Sequence, residues 1–262
     1  MTVVVVLVAV LAVDVTSFIT ASDASKEAFK TATLLKTLTV NALITGEVGV
    51  GKRSLASYII PDAPIIDASD FDELLTNIES SREVIIVNLE NSPNINTIVN
   101  AIEKNNTRII ATSKSSFEND YIDNLFSVKF NIPPLNSRLE DIEFLVDRFA
   151  NEASKLFGST IDFDMNSFVP DLSTNANSLR RQVMINSLLK DIKDTELMEI
   201  LEKYLFNKLG SNSDYREFLY LYEVPLIKSG LKRFKSQLQL SDKLGLNRNT
   251  LRKKIADNKD YL

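Results

Sequence analysis

The chain has 262 residues, of which 44% are hydrophobic and 25% charged, so it has the composition of a globular protein and the length of one large domain plus a small one. It contains no cysteine and no histidine, which excludes disulfides, thiolate metal sites and histidine-based acid–base catalysis. The net charge of −5 combines +7 over residues 228–262, where ten Lys and Arg face three Asp, with −12 over the rest, so only the C-terminal tail attracts a polyanion.

Residues 1–13 form an almost uninterrupted run of Val, Leu and Ala that ends at Asp14. The run is shorter than the roughly 20 residues of a membrane-spanning helix, and it lacks the basic residues that begin a signal peptide. We expect a buried strand or an artefact here, with a membrane anchor as the alternative, and we leave residues 1–16 outside any domain. For the whole chain we expect a cytoplasmic protein without a membrane partner.

Between residues 25 and 112 the apolar pattern predicts alternating helices and strands. Apolar residues recur at helical spacing from Ser25 to Leu38, and four short apolar runs follow, separated by glycines or by helical stretches. This rhythm is typical of an α/β fold with a parallel sheet. The predicted strands are Asn41–Thr45, Ala63–Ile66, Glu83–Val87 and Arg108–Thr112.

After Pro133 and Pro134 the pattern changes to helices, which we interpret as a lid on the α/β part. The small polar residues of Gly210–Asp214 bury little surface and predict a linker. The predicted lid helices are Arg138–Phe157, Asn175–Lys190 and Asp194–Leu209.

A glycine-rich segment follows the first predicted strand and precedes a helix. Residues Gly46–Arg53 read GEVGVGKR, which matches the phosphate-loop pattern GxxxxGK[ST] except that Arg replaces the hydroxyl residue. Glycines let backbone N–H groups converge on phosphate oxygens, and Lys52 adds a positive charge. We expect ATP or ADP as ligand, leave magnesium open because Arg53 removes its usual ligand, and keep a glycine turn that only closes a loop as the alternative. The candidate nucleotide-binding residues are Gly46, Glu47, Val48, Gly49, Val50, Gly51, Lys52, Arg53 and Ser54.

The basic tail has the pattern of two short helices joined by a tight turn. Gln237–Leu244 predicts the first helix, Gly245 allows the left-handed turn, and Asn247 caps a second helix in which Leu251 and Ile255 face inward. The outward residues carry donors for DNA: Arg248, Asn249 and Arg252 for base edges, and Thr250, Lys253 and Lys254 mainly for phosphates. The candidate DNA-binding residues are Gln237, Asn247, Arg248, Asn249, Thr250, Arg252, Lys253 and Lys254.

The helical stretch Tyr215–Phe234 has more apolar residues than one small helical unit can cover. Pairing with a second copy would bury the excess, so we expect a homodimer or a higher homo-oligomer on duplex DNA, with half-sites about one helical turn apart.

Several segments together resemble the sigma-54-dependent activators, or bacterial enhancer-binding proteins. They are GEVGVGK, PIIDAS from Pro64, TRIIATS from Thr107, IPPLNSRLEDIEFLVDRF from Ile132 and KSQLQLSDKLGLNRNTLRKKI from Lys235, and their order covers residues 17–262. The resemblance implies an AAA+ P-loop α/β subdomain at residues 17–135, a helical lid at 136–209, and a Fis-type helix-turn-helix DNA-binding domain at 214–262.

The resemblance also shows what has changed in the ATPase centre. The family has an Asp and a Glu at the end of the second core strand, where this chain has Asn88, with Glu90 displaced by one residue. A shift of one residue along a strand turns a side chain to the other face, so we interpret Glu90 as a solvated loop carboxylate.

Three arginines of the family pattern are also replaced. Glu118 and Asn124 stand where the arginine fingers occur, and Asn177 stands at the lid arginine, for which Arg180 or Arg181 is the possible substitute. The segment between the second and third predicted strands has neither the GAFTGA motif nor the room for it, so contact with sigma-54 is not expected.

We therefore predict a sequence-specific DNA-binding transcription regulator with a degenerate, hydrolysis-deficient AAA+ domain that acts without sigma-54. No catalytic residue and no metal ligand is assigned. An ATP-hydrolysing activator with relocated catalytic residues is the enzyme alternative, and an interaction scaffold with a vestigial helix-turn-helix is the third hypothesis.

Overall fold

The computed structural model describes residues 18–157, 168–190 and 192–262, so the predicted strand in residues 1–13 lies outside the described part. Contacts divide the chain into a first unit up to Asp191 and a second unit from Ile192 to Leu262. Within the described ranges, no helix has both the length and the apolar character to cross a bilayer.

The first unit is built on five parallel strands in the order β2-β3-β4-β1-β5. Strand β5 is missing from the sequence prediction, because it lies at the edge of the sheet and alternates half-buried with exposed residues instead of forming an apolar run. The strands are β1 (Ala42–Gly46), β2 (Ile65–Asp67), β3 (Glu83–Val87), β4 (Arg108–Ser113) and β5 (Val128–Ile132).

Helices cover both faces of the sheet. Since side chains alternate along a strand, Ile44 and Ile110 face one layer of helices while Leu43 and Ala111 face the other. Helices α1 (Asp23–Thr37) and α2 (Lys52–Ile59) pack on the first face, and α3 (Phe71–Ser80) and α4 (Ile95–Asn105) pack on the second.

Two further helices of the first unit form a pair with its own core. They are α5 (Glu140–Phe157) and α6 (Ala176–Lys190), which meet through Val146, Phe149 and Val183. The first two predicted lid helices are therefore present, and the α/β class with a parallel sheet and a helical part is confirmed.

The second unit is entirely helical. Its core contains Ile227, Leu240 and Leu251, one from each of three helices, and Gly230 lets two of them approach so closely that a Cβ there would lie 2.3 Å from the Leu240 side chain. The helices are α7 (Asp194–Phe206), α8 (Asp214–Phe218), α9 (Tyr220–Phe234), α10 (Gln237–Leu244) and α11 (Arg248–Asp257).

The predicted domain boundaries stay a prediction. The sequence pattern predicts helix α7 as part of the lid, whereas its contacts group it with the second unit, and no residue of α7 is buried.

Candidate functional site

The glycine-rich loop lies between β1 and α2, as the sequence predicts. Gly49 and Gly51 have φ values of 80° and 104°, in the left-handed region that residues other than glycine rarely adopt. Helix α2 begins at Lys52. The glycines therefore allow a backbone turn that another residue would strain, directly before the N-terminus of a helix.

Five consecutive carbonyl groups of this loop, at residues 46–50, all accept hydrogen bonds from surrounding residues. In a planar trans peptide group the C=O and the N–H point in opposite directions. A hydrogen bond that fixes the carbonyl of one residue therefore directs the N–H group of the next residue away from the donor. No described residue accepts a hydrogen bond from the N–H groups of residues 47–54, which leaves them available to an anion. The donors are Lys52 Nζ to Gly46 (2.5 Å) and Glu47 (2.7 Å), Asn175 Nδ2 to Val48 (2.9 Å), Ala176 N to Gly49 (3.1 Å) and Arg138 Nη2 to Val50 (3.0 Å).

The loop forms one wall of a cleft of about 400 Å³. All nine candidate nucleotide-binding residues except Gly46 line it. The opposite walls come from the start of the described chain at Phe18, the ends of β2 to β4, and helices α5 and α6. A glycine loop beside a mixed polar and apolar cleft is an arrangement that can hold the phosphates and the base of a nucleotide.

Lys52 is half-buried at the floor of this cleft. Burial lowers the pKa of its ammonium group below 10.5, and the nearby Lys114 lowers it further, while Glu90 and Glu47 act in the opposite direction. A partly desolvated cation beside unpaired N–H groups is suited to a phosphate, because the anion replaces the solvation that the lysine has lost.

Arg138 and Asp141 form a buried ion pair that connects the loop to α1. Their side chains are 4% and 0% exposed, and Arg138 Nη1 donates to Asp141 Oδ2 at 3.1 Å. Asp141 also accepts from the backbone of Ala21 and Ser22 and from the hydroxyl of Ser25. Sequence reasoning missed both residues, because their contacts with the loop and with the start of α1 span more than 80 positions.

The residue directly after β3 is Asn88, where the family pattern has a carboxylate. Asn88 adopts a left-handed conformation with φ 54°, and its Nδ2 donates to Asp67 Oδ2 at 2.6 Å, while its N–H donates to the Thr112 hydroxyl at 3.2 Å. Burial raises the pKa of Asp67, but hydrogen bonds from Ser69 and Asn88 outweigh it and leave the pKa below its ordinary value. The amide is therefore engaged with β2.

Glu90 is placed differently from the sequence interpretation. The strand ends at Val87 and a 3-10 turn follows at Leu89–Asn91, so strand alternation does not apply to Glu90. Its side chain is only 13% exposed, one carboxylate oxygen is 3.8 Å from Lys114 Nζ, and the other is buried without a partner among the described residues. A solvated loop carboxylate is thus the wrong description.

The residues that replace the family's arginines do not supply a free cation to the cleft. Glu118 and Asn124 are exposed, and Asn177 lines the cleft with an uncharged amide. Arg180 also lines the cleft but pairs with Glu152, and Arg181 is not among the lining residues. No group of three or more Asp or Glu that suits a metal occurs in the described segments.

A second candidate site lies on α10 and α11. Gly245 has φ 64° and ends α10, and the Asn247 side chain caps α11 by accepting from Asn249 N at 2.9 Å. Leu251 points into the core, so the other side of α11 faces solvent. The exposed residues include Gln237, Asn247, Arg248, Asn249, Thr250, Arg252 and Lys253, and no described carboxylate pairs with the three cations among them.

Lys254 differs from the other predicted DNA contacts. Its ammonium group forms an ion pair with Glu223 on α9, and the two side chains are 29% and 17% exposed. The pair joins α11 to α9, so the contact of Lys254 with phosphate stays a prediction, tested below.

No family model matches the chain. In sequence it is 28% identical over 181 residues to the DNA-binding transcriptional regulator NtrC of Rhizobium meliloti (strain 1021), a match that spans 54% of this chain and 37% of that protein. The chain thus matches little more than a third of the length of this curated relative.

Two crystal structures of NtrX from Brucella abortus are similar in fold. The complex with ADP has a TM-score of 0.59 at 17% identity and covers 92% of this chain and 68% of that one. The complex with ATP has a TM-score of 0.56 at 18% identity and covers 92% and 69%. The parallel sheet, the phosphate loop and this likeness define the AAA+ class of P-loop proteins. The chain is similar to NtrC in sequence and to NtrX in fold.

Proposed function

We propose that the chain is a DNA-binding transcription regulator whose α10 and α11 form a Fis-type helix-turn-helix. The observation that carries this proposal is the exposed face of α11, where Arg248, Arg252 and Lys253 project from a capped helix over a buried leucine. Such a helix fits the major groove, and its charge attracts the phosphates. The similarity to a DNA-binding transcriptional regulator supports the same function.

The AAA+ cleft binds ATP or ADP without efficient turnover in this proposal. The unpaired N–H groups of the loop and Lys52 support phosphate binding, and the NtrX structures in complex with ATP and ADP support the nucleotide. In comparable ATPases, loss of one arginine finger alone costs about 10³ or more in rate. Active ATPases of the family have catalytic charged residues at four positions that differ in this chain, which are occupied by Asn88, Glu118, Asn124 and Asn177.

We also propose that the chain acts without sigma-54. The short segment between β2 and β3 is occupied by α3, from Phe71 to Ser80, so little chain remains there for a projecting loop. The family's signature for that contact, GAFTGA, does not occur in the sequence.

A homodimer on a two-fold DNA site completes the proposal. Tyr222 and Leu226 lie four residues apart on α9 and are 66% and 36% exposed, which places apolar surface on one side of the helix. Sedimentation of the purified chain tests this, since a strictly monomeric species at micromolar concentration is the contrary result.

Duplex binding at increasing salt tests the main proposal. We expect a steep loss of affinity between about 50 and 200 mM salt, because the cations of α11 release counterions from DNA. Arg252→Ala should weaken binding, and Arg248→Ala should reduce the difference between a selected site and a scrambled one. A chain with no affinity for duplex DNA at low salt would support the scaffold hypothesis instead.

The position of Glu90 favours a second candidate, an ATP-hydrolysing remodeller. Among the described residues, one buried carboxylate oxygen of Glu90 has no hydrogen-bond partner and the other lies 3.8 Å from Lys114 Nζ. Glu90 also interacts electrostatically with Lys52, so it is a candidate for orienting water. Phosphate release with and without DNA separates the two functions. We expect no more release from the wild type than from Lys52→Ala, whereas turnover that is lost in Glu90→Gln would establish the second candidate.

A further inference from the structure

We infer that Asn175 is a positioning residue that latches α6 onto the phosphate loop, so that the shape of the loop and the order of α6 depend on each other. The proposed role of the latch in nucleotide sensing rests on the proposed nucleotide binding, whereas the latch itself consists of contacts within the chain.

Asn175 joins three segments that are far apart in sequence. Its Nδ2 donates to Glu47 Oε2 at 3.0 Å and to Val48 O at 2.9 Å, and its Oδ1 accepts from Leu135 N at 2.6 Å. The residue is 2% exposed, so water does not compensate for the loss of these hydrogen bonds. The loop, the connection after β5 and the start of α6 therefore meet at one amide.

The backbone around Asn175 adds two more contacts to the same loop. Asn175 has φ 55°, a left-handed conformation that Asn tolerates better than most residues, and α6 begins at the next position. Ala176 N donates to Gly49 O at 3.1 Å, and the carbonyl of Thr174 lies so close that a Cβ on Gly49 would be 2.2 Å from it. Any movement of the loop at Val48 or Gly49 is thus transmitted to the first turn of α6.

The chemistry of the latch requires an amide. Asn175 donates to a carboxylate and a carbonyl and accepts from an N–H group, a combination that neither a carboxylate nor an aliphatic side chain can supply. Asn175 and Ala176 hold the loop carbonyls whose opposite N–H groups are left available to an anion, so a phosphate bound to those N–H groups stabilises the same loop conformation as the latch does. Nucleotide state reaches α6 by this route without an arginine at position 177.

The test compares Asn175→Asp, Glu47→Gln and the double variant in the full chain. Asn175→Asp places a second carboxylate beside Glu47, and Glu47→Gln removes that repulsion and supplies a new donor. Asn186→Asp makes the same chemical change at an exposed position of α6 and is the matched control. The readouts are hydrogen exchange of residues 176–190 without nucleotide, and binding of a fluorescent N-methylanthraniloyl ADP.

We expect Asn175→Asp to raise exchange in the first two turns of α6 by at least tenfold and to weaken binding of the ADP probe by about tenfold. The double variant should recover most of both losses, and Asn186→Asp should behave as the wild type does. Asn175→Gly keeps the left-handed backbone and deletes the amide side chain. It should raise hydrogen exchange of α6, and adding Glu47→Gln to this variant should not lower the exchange again.

Two results would overturn the latch. One is wild-type exchange of α6 in both Asn175→Asp and Asn175→Gly, and the other is an Asn175→Asp defect that Glu47→Gln leaves unchanged in a folded protein. If Asn175→Asp fails to fold, Asn175→Gly decides by its exchange alone. If the wild type does not bind the probe, the proposed nucleotide function fails, while the exchange data still decide the latch.

Discussion

The phosphate loop and helix α11 present positive potential in two different ways. In the loop the groups proposed to bind phosphate are backbone N–H groups, fixed by a network in which Asn175, Ala176 and Arg138 each hold one carbonyl. On α11 they are exposed side chains over a core of three buried residues. A preorganised site of the first kind fails as a unit when one member is displaced, whereas a charged surface of the second kind loses one contact at a time.

Gly49→Ala should have the largest effect on function. The new Cβ would lie 2.2 Å from Thr174 O at a φ of 80°, so the loop or α6 has to move. Backbone strain of about 1–3 kcal/mol together with the displaced N–H groups predicts a loss of about 100-fold in affinity for ADP. Calorimetric titration measures it, with Ser173→Ala, at the exposed residue before Thr174, as control. Unchanged affinity in Gly49→Ala would show that the loop is not preorganised.

Asp141→Asn should have the next largest effect, on stability. The substitution leaves Arg138 charged in a site where its side chain is 4% exposed, which predicts a loss of about 3 kcal/mol in the free energy of unfolding. Denaturant unfolding measures the change. Asp147→Asn, on the exposed side of the same helix, should change stability by less than about 0.5 kcal/mol. Equal effects of the two substitutions would contradict the role of the buried pair.

Two neighbouring lysines give the smallest and most selective difference. Lys253 is exposed, so Lys253→Ala should reduce the slope of log affinity against log salt for duplex DNA by about 0.9. Lys254 is held by Glu223, so Lys254→Ala should leave that slope unchanged and lower the melting temperature instead. A reduced slope in Lys254→Ala would restore this residue to the phosphate contacts.

Local sequence patterns predicted the parts of both sites that neighbours in the chain determine. The loop glycines, the turn at Gly245 and the cap at Asn247 lie where expected, because each needs only a few adjacent residues. Asn175 and Arg138 were not predicted as parts of the cleft, since their contacts with Val48 and Val50 span 127 and 88 positions. Glu90 was misplaced because the left-handed Asn88 ends the strand pattern that the prediction extended.

The proposal that α11 reads duplex DNA is tested most directly by mapping the sites that the chain occupies across the genome of its own cell. We predict that the wild type enriches fragments sharing a pseudo-palindromic motif, with half-sites about 10 base pairs apart, and that Arg252→Ala loses this enrichment. A wild-type profile without a shared motif, or one identical to that of Arg252→Ala, would show that α11 does not read DNA sequence.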